Sequence, residues 1–314
     1  MHSFKVMLGA CCEMRGYVPS CSPKFERLTK ALLGALSFLL ILGASAAAAQ
    51  TTQYQPQVGQ VGKDVVWVPT PDRVIYRMLQ MADTTQEDLV VDLGSGDGRI
   101  PIVAAKRFGA RSLGIEFDAD LVEYSRTAAQ REGVGERARF LRQDFFQTDL
   151  SAATVITLYV SPTVMMQLRP RLLALRAGTR VVSHQFTFGD WEPDETVRVE
   201  NVPAHLWVVP ARAAGVWQVD MDGHGYTVNL EQEHQMLRGS ASLHPAAAKP
   251  AGAKPADAKQ VVTNGRLRGD EVRFAFADGN GDQRLFSGRI EGGRMHGVAR
   301  AYGQPDLNWS ATRQ

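Results

Sequence analysis

An open, doubly wound α/β sheet of seven strands followed by a small all-β module is the fold class that this sequence of 314 residues predicts. Two observations predict the sheet. From residue 64 to about 212, short apolar runs alternate with helix-length segments, and the glycine-rich stretch "VVDLGSGDGR" at 90–99 follows an apolar run. A third observation predicts the module, because after Arg212 apolar and polar residues alternate between Gly, Asn and Asp turns.

The sheet domain, 64–212, is predicted to begin with a helix, to continue with five strand-and-helix units and to end on two further strands. We expect strands at 89–94, 112–117, 137–143, 154–160, 179–186, 195–201 and 205–212. We expect helices at 71–82, 98–109, 118–133 and 161–178. This alternation is typical of a parallel sheet wrapped by helices, whose ligands bind beyond the carboxyl ends of the strands.

The all-β module is predicted over 213–314 as a small barrel or meander with six recognisable strands. An Ala/Lys/Pro-rich linker at 246–259 interrupts it and is expected to be mobile. The module carries so little chemistry that it either only shields and stabilises the first domain or influences the choice of acceptor or partner. We expect it to fold separately, with Trp207 or Trp217 packing across the boundary.

The N-terminus predicts an export signal at 1–49. Lys24, Arg27 and Lys30 precede the apolar run 31–43, and small residues follow it. The run is short for a bilayer span, so cleavage near Ala49 and a periplasmic location are expected, with an uncleaved inner-membrane anchor as the alternative. Residues 50–63 are polar and Gln-rich and are interpreted as a flexible lead-in.

Composition excludes several classes of function. Without 1–49, which hold five of the 35 basic and two of the 33 acidic side chains, 30 basic and 31 acidic residues remain, so no nucleic-acid partner is expected. All three cysteines lie before residue 22, which excludes cysteine nucleophiles and disulfides from the exported part. The seven histidines lack metal-ligand spacing, so no metal is expected.

The glycine loop indicates the cofactor. A dinucleotide loop would place its third glycine at Arg99, whereas this loop has the tighter G-x-G-x-G spacing that indicates S-adenosylmethionine. Three acidic residues end successive strands: Asp92 beside the methionine part, Glu116 for the ribose hydroxyls and Asp144 for the adenine amino group. The predicted cofactor-binding residues are Asp92, Gly94, Ser95, Gly96, Asp97, Gly98, Ile115, Glu116, Asp144, Phe145 and Thr70, with Ile115 and Phe145 sandwiching the adenine ring.

Over residues 64–212, the sequence resembles the class I, seven-stranded methyltransferases. It is most similar to the mitochondrial protein-lysine N-methyltransferases that modify the ATP synthase c-subunit and the adenine nucleotide translocase, and to their archaeal and bacterial relatives. The resemblance rests on "WVPTPDRVIYRML", "DLGSGDGRI", "YVSP" and "VVSHQFTFGDW". It implies methyl transfer from S-adenosylmethionine to a protein lysine, with a membrane protein or a small molecule as further acceptors. A non-catalytic binder of adenosyl compounds in the cell envelope is the alternative.

Tyr159 is the predicted catalytic residue. With Pro162 it occupies the place where many amine methyltransferases carry Asp/Asn-Pro-Pro-Tyr, and the acidic or amide residue is missing, which favours an aliphatic amine guided by an aromatic edge. The structural alternative is a buried strand tyrosine bonded to a backbone carbonyl. His184 and Trp191 are expected to close the acceptor side or to be structural, and Thr70 to pack over the donor or to cap a helix.

Overall fold

The computed structural model describes residues 54–244 and 259–314. The predicted signal at 1–49, the first residues of the lead-in and the linker up to residue 258 lie outside the described residues. None of the helices described is both long and apolar enough to span a bilayer.

The first domain comprises four helices and seven strands. Its helices are α1 Asp72–Met81, α2 Arg99–Phe108, α3 Ala119–Arg131 and α4 Pro162–Leu173. Its strands are β1 Leu89–Leu93, β2 Arg111–Glu116, β3 Ala138–Arg142, β4 Val155–Leu158, β5 Arg180–His184, β6 Glu195–Val199 and β7 Val202–Val208. All eleven elements were predicted, with shifts of a few residues at their ends.

The strands form one sheet in the order β3-β2-β1-β4-β5-β7-β6. The first five are parallel, whereas β7 runs antiparallel to both β5 and β6, so the prediction of a parallel sheet is wrong at this edge. The prediction of five strand-and-helix units is also wrong, because β3 and β5 are each followed by turns instead of a helix. The reversed direction of β7 follows from a two-residue hairpin turn after β6, at Glu200 and Asn201, which both have positive φ.

The sheet buries both of its faces, as a doubly wound sheet must. Alternate strand residues point to opposite sides: Val91 and Ile156 pack in a core with α4, whereas Val90 and Val155 pack in a second core with α1. Because neither face is free, a ligand reaches this domain at the ends of the strands.

The second domain is a closed, antiparallel barrel of eight strands in the order β10-β11-β12-β13-β14-β15-β8-β9. The strands are β8 Gly215–Met221, β9 His224–Glu233, β10 Met236–Leu243, β11 Gln260–Arg268, β12 Glu271–Ala277, β13 Gln283–Glu291, β14 Arg294–Arg300 and β15 Leu307–Arg313. Strands β11 and β15 were not predicted from the sequence. The interior is filled by aromatic side chains, and the Phe286 ring is stacked against Phe274 and Phe276 at centroid distances of 5.1 and 4.4 Å. Such a barrel is a packed core and not a ligand cavity.

Polar contacts and an aromatic pair, Trp191 with His234 at a ring-centroid distance of 6.3 Å, join the two domains. Arg266 on β11 pairs with Asp194 at 2.9 Å, and the Gln235 side-chain amide donates to the Glu192 carbonyl at 2.7 Å. The prediction that Trp207 or Trp217 packs across the boundary is wrong, because Trp207 lies in the core of the sheet domain and Trp217 in the core of the barrel. Residues 54–314 form a single compact unit.

The Arg266–Asp194 pair provides a test of this interface. Arg266→Ala leaves the Asp194 carboxylate, of which 3% is exposed, without its cation, so we expect a loss of about 1–3 kcal/mol in the free energy of unfolding. Urea denaturation of the single variant, and of the double variant Arg266→Ala/Asp194→Asn, measures it. The double variant should recover part of the loss; equal stability of wild type and single variant would contradict the expectation.

Candidate active site

The glycine loop follows β1 and turns back over β2. Gly94, Gly96 and Gly98 all have positive φ, at 79, 55 and 79°, the backbone conformation that glycine tolerates best. The amides of Gly94 and Ser95 both donate to the Ile115 carbonyl, at 2.9 and 3.0 Å. The loop is therefore fixed to the carboxyl end of β2, and its face opposite β2 is open to a ligand.

Carboxylates fix the remainder of the loop. Glu116, at the end of β2, accepts from the Gly96 amide at 2.9 Å and from the Phe117 amide at 2.7 Å. Asp97 accepts from the Arg99 guanidinium, and that guanidinium also donates to the Thr70 carbonyl at 3.2 Å. The Asp97 carboxylate raises the pKa of Arg99, so Arg99 stays charged and ties the loop to the segment before α1.

The loop borders a cavity of about 790 Å³, including its open mouth. Of the predicted cofactor residues, it brings together Asp92, Gly94, Ser95, Gly96, Asp97, Glu116, Asp144, Phe145 and Thr70, together with Tyr159. Gly98 and Ile115 do not line it. Gly98 is the N-cap of α2, where a Cβ would lie 2.7 Å from Phe140, and the Ile115 side chain is fully buried in the core.

Phe117, and not Ile115, lines the cavity together with Phe145. Side chains alternate across a strand, and the turn after Glu116 brings the Phe117 ring, 46% exposed, to the cavity. Asp144 lies two residues beyond β3, accepts from the Lys63 ammonium at 2.7 Å, and has its pKa lowered chiefly by that hydrogen bond.

Residues 54–70 form a segment that covers the loop, which we call the strap. The prediction of a flexible lead-in is wrong from Tyr54 onward, because the Gly59 amide donates to the Trp67 carbonyl at 2.8 Å and the Tyr54 hydroxyl to Gln60 at 3.0 Å. Trp67 packs directly on Gly96, where a Cβ would lie 2.3 Å from the indole nitrogen. Lys63 and Trp67 both line the cavity.

Asp92 is the most buried carboxyl group of the site. Its pKa is raised to about 7, chiefly by burial and also by the charges of Asp97 and Glu116, against the Thr157 hydroxyl, which donates at 2.5 Å and lowers the pKa. A carboxyl group that resists ionisation in this way is stabilised as an anion by a cationic ligand.

The donor set of the cavity fits S-adenosylmethionine. Five carboxyl groups and two basic side chains line it, which suits a ligand that carries a sulfonium and an ammonium charge; they are Asp64, Asp92, Asp97, Glu116 and Asp144 against Lys63 and Arg99. The buried Ser95 hydroxyl has no partner in the described structure, and a Cβ at Gly94 would meet nothing closer than 3.7 Å. Ser95 therefore has a hydroxyl that no described protein atom uses, and a Cβ at Gly94 would make ordinary contacts with Val160 and Phe145.

Tyr159, Thr70 and His184 meet on the other side of the loop. Tyr159 follows β4 and lies 3.9 Å, ring centroid to centroid, from His184 at the end of β5. The Nδ1 atom of His184 lies 3.1 Å from the Thr70 hydroxyl, so Thr70 is not the cap of α1, whose N-cap is Pro71. Burial lowers the pKa of His184 to about 4 and keeps it neutral near pH 7. Trp191, expected here, is fully buried and bonded through its carbonyl to Trp207.

Among the described residues, no group of three or more His, Cys, Asp or Glu side chains is arranged to hold a metal ion.

Comparisons with known proteins agree with this site. Residues 92–195 match the family model described as the ANTKMT methyltransferase domain. A protein-lysine N-methyltransferase of Saccharolobus islandicus is 40% identical over 151 residues, which cover 46% of this chain and 94% of that protein. The lysine N-methyltransferase of the ATP synthase c-subunit from Xenopus laevis is 37% identical over 129 residues, 41% of this chain and 56% of that protein.

Among solved structures, a Salinibacter ruber protein named as an RNA methyltransferase, in complex with S-adenosyl-L-homocysteine, is 48% identical. The match covers 46% of this chain and 96% of that chain, with a TM-score of 0.46. The chain spans little more than half the length of the Xenopus relative and nearly all of the archaeal one.

The fold and the glycine-loop site define a class I, S-adenosylmethionine-dependent methyltransferase. Within that class, the chain belongs to the family of protein-lysine N-methyltransferases that includes the Saccharolobus protein.

When bound, S-adenosylmethionine supplies an electrophilic methyl group on a sulfonium. The chain's own residues have a positioning role: the glycine loop and Glu116 border the cavity, residues 62–70 of the strap line it, and so does Tyr159. Holding the reacting atoms about 3–3.5 Å apart and in line supplies much of the acceleration in such a displacement. The site therefore needs no strong acid or base near Tyr159, consistent with the neutral His184.

Donor affinity should depend on pH through Asp92. Below about pH 7 the group is protonated and attracts a cation less, so affinity should rise with pH, by up to about tenfold per unit, and level off above pH 7. Calorimetric titration with S-adenosylhomocysteine between pH 5.5 and 8.5 measures this. Asp92→Asn should flatten the profile, and Thr157→Val should move its midpoint to higher pH, because the hydroxyl that favours the anion is lost. A profile that is flat in the wild type would contradict the assignment.

Proposed function

We propose that this protein methylates the ε-amine of a lysine in a protein, and that its acceptors include a membrane protein. The observation that carries the proposal is the 40% identity to a protein-lysine N-methyltransferase over 94% of that protein's length. The relatives named for the ATP synthase c-subunit and for the adenine nucleotide translocase act on lysine in membrane proteins, which supports the wider claim.

The chemistry of the acceptor side supports an aliphatic amine. Tyr159, half-buried beside Phe186 and His184, offers an aromatic edge and a hydroxyl in place of the amide or acid of an Asp/Asn-Pro-Pro-Tyr motif. A neutral lysine amine attacks the methyl carbon, the carbon–sulfur bond breaks with its electrons going to sulfur, and the amine proton is released to solvent. The products are methyllysine and S-adenosylhomocysteine.

Methyl transfer from labelled S-adenosylmethionine to a membrane-protein extract tests the proposal. We expect label in methyllysine after acid hydrolysis, and none when the extract's lysines have been blocked beforehand by acetylation, which leaves no nucleophilic amine. Total RNA and a small-amine pool serve as parallel acceptors. Label in RNA or in small molecules alone, or transfer that survives lysine blocking, would reject lysine as the acceptor.

We further propose that the protein is exported to the periplasm. The basic residues before the apolar run 31–43 and the small residues after it support a signal that is cleaved near Ala49, and an uncleaved anchor has the same orientation. Because the donor is made in the cytoplasm, export requires a supply of donor outside it. A fusion of the whole chain to a reporter active only outside the cytoplasm should be active, and activity of a cytoplasm-only reporter would reject export.

A further inference from the structure

The residue after β5, Gln185, has a backbone conformation that its own side chain does not favour. Its φ is +72°, in the left-handed region that a glutamine rarely adopts. Among the described residues, seven that are not glycine have positive φ, and four of these lie in hairpin turns, at Glu200, Asn201, Asp222 and His234. Gln185 lies in no hairpin turn and instead follows the strand next to Tyr159.

The surrounding structure holds this strained conformation from both sides. The Gln185 amide donates to the Pro203 carbonyl on β7 at 2.8 Å, and its carbonyl lies 3.3 Å from Nε2 of His205. Strain of this kind persists where neighbouring contacts over-determine it and is concentrated at functional sites. The side chain itself is exposed, so no packing requirement accounts for glutamine here.

The Gln185 side chain does not itself line the cavity but lies beside Tyr159, which does. Its Oε1 atom lies 3.5 Å from the Tyr159 hydroxyl, which lines the cavity. In the sheet order, β2 and β3 carry Glu116 and Asp144, β1 carries the glycine loop, and β4 and β5 carry Tyr159 and Gln185. Gln185 therefore lies on the side of Tyr159 that is away from the groups assigned to the donor.

We propose that Gln185 is a positioning residue for the acceptor amine, an inference that rests on the proposed lysine substrate. Its Oε1 atom accepts an N–H of the neutral amine, which turns the amine lone pair toward the methyl group, while Tyr159 orients the amide. The left-handed backbone is what directs the side chain to that place. A carbonyl oxygen suits this role because it accepts from a neutral amine without holding the amine as an ammonium ion.

The variant Gln185→Gly distinguishes a positioning role of the Gln185 side chain from a structural role. Glycine relieves the backbone strain, so the melting temperature should not fall, and the affinity for S-adenosylhomocysteine should stay within twofold of the wild type. The initial rate of label transfer to lysine in the membrane-protein extract, at saturating donor, should fall about 10- to 100-fold because the amine is no longer oriented. Gln185→Asn, which keeps an amide and tolerates positive φ, should retain an intermediate rate.

Asp83→Gly is the matched control, since Asp83 is exposed, has a φ of +46° and follows α1 away from the cavity residues. It should leave the rate unchanged. A Gln185→Gly rate within twofold of an active wild type overturns this inference alone, as does a parallel loss of donor affinity, which would mark a structural role. A wild type that transfers no label to lysine overturns the proposed function and the inference with it.

Discussion

Replacing Gly96 by valine is expected to abolish measurable binding of S-adenosylhomocysteine, a loss of at least about 100-fold in affinity. Two effects add at this position. The φ of +55° puts any other residue in the left-handed region at a cost of about 1–2 kcal/mol, more for a β-branched side chain. The new Cβ would also lie 2.3 Å from the Trp67 indole nitrogen, so the ring must leave the place where the strap covers the loop.

Gly133→Val is the matched control for this experiment. Gly133 has a φ of +71° and a Cβ there would meet nothing within 4 Å, so the variant has the backbone cost without the collision. Calorimetry and thermal melting of both variants separate the two effects. We expect Gly133→Val to lose stability and keep donor affinity; equal affinity in the two variants would mean that the loop does not border the donor.

The second large effect is expected at Glu116. Glu116→Ala should weaken binding of S-adenosylhomocysteine by about 1.5–3 kcal/mol, because the ribose hydroxyls lose a charged acceptor. The structure adds a second cause, since the Gly96 amide loses its acceptor at 2.9 Å and the loop loses a contact with β2. Glu116→Gln keeps one acceptor oxygen and should show a smaller loss.

Asp118→Ala distinguishes loss of the donor contact from local damage. Asp118 is the neighbouring N-cap of α3, accepts from the Asp120 and Leu121 amides, and does not line the cavity. Its replacement should cost about 0.5–2 kcal/mol of stability and leave donor affinity unchanged. If Asp118→Ala weakens binding as much as Glu116→Ala does, the ribose assignment is wrong.

The sheet domain could be predicted because its signals are local. Each strand is a short apolar run and each helix a longer amphipathic one, and these patterns located all eleven elements. The direction of β7 was not predictable in this way, since it depends on the turn at Glu200 and Asn201, neither of which is glycine. In the barrel, β11 contains Asn264 and Gly265, which weaken the alternation that marks a strand, whereas β15 alternates regularly and was predictable from its pattern.

The carboxylates of the site could be predicted, because acidic residues at the ends of strands are visible in the sequence and their chemistry depends on residue type alone. The site predictions that failed concerned the direction of a side chain or a contact between residues distant in sequence. Ile115 lies in β2 and Phe117 directly follows the strand, and the turn after Glu116 decides which of the two side chains reaches the cavity. Lys63 bonds to Asp144 across 81 positions, and Gln185 is marked by a backbone angle that no pattern reveals.

The pairing of β8 with β15 has a consequence for how the barrel forms during synthesis. Trp217 on the first strand lies opposite Arg313 on the last, so the ring of hydrogen bonds closes only when residues almost a hundred positions apart in the chain meet. Pairings so distant in sequence form slowly, and a nascent chain exposes the unpaired edges of β8 and β14 until β15 has emerged from the ribosome. A premature stop before residue 307 would leave both edges permanently open and should send the protein to aggregation or proteolysis, even though every residue of the donor site had been made.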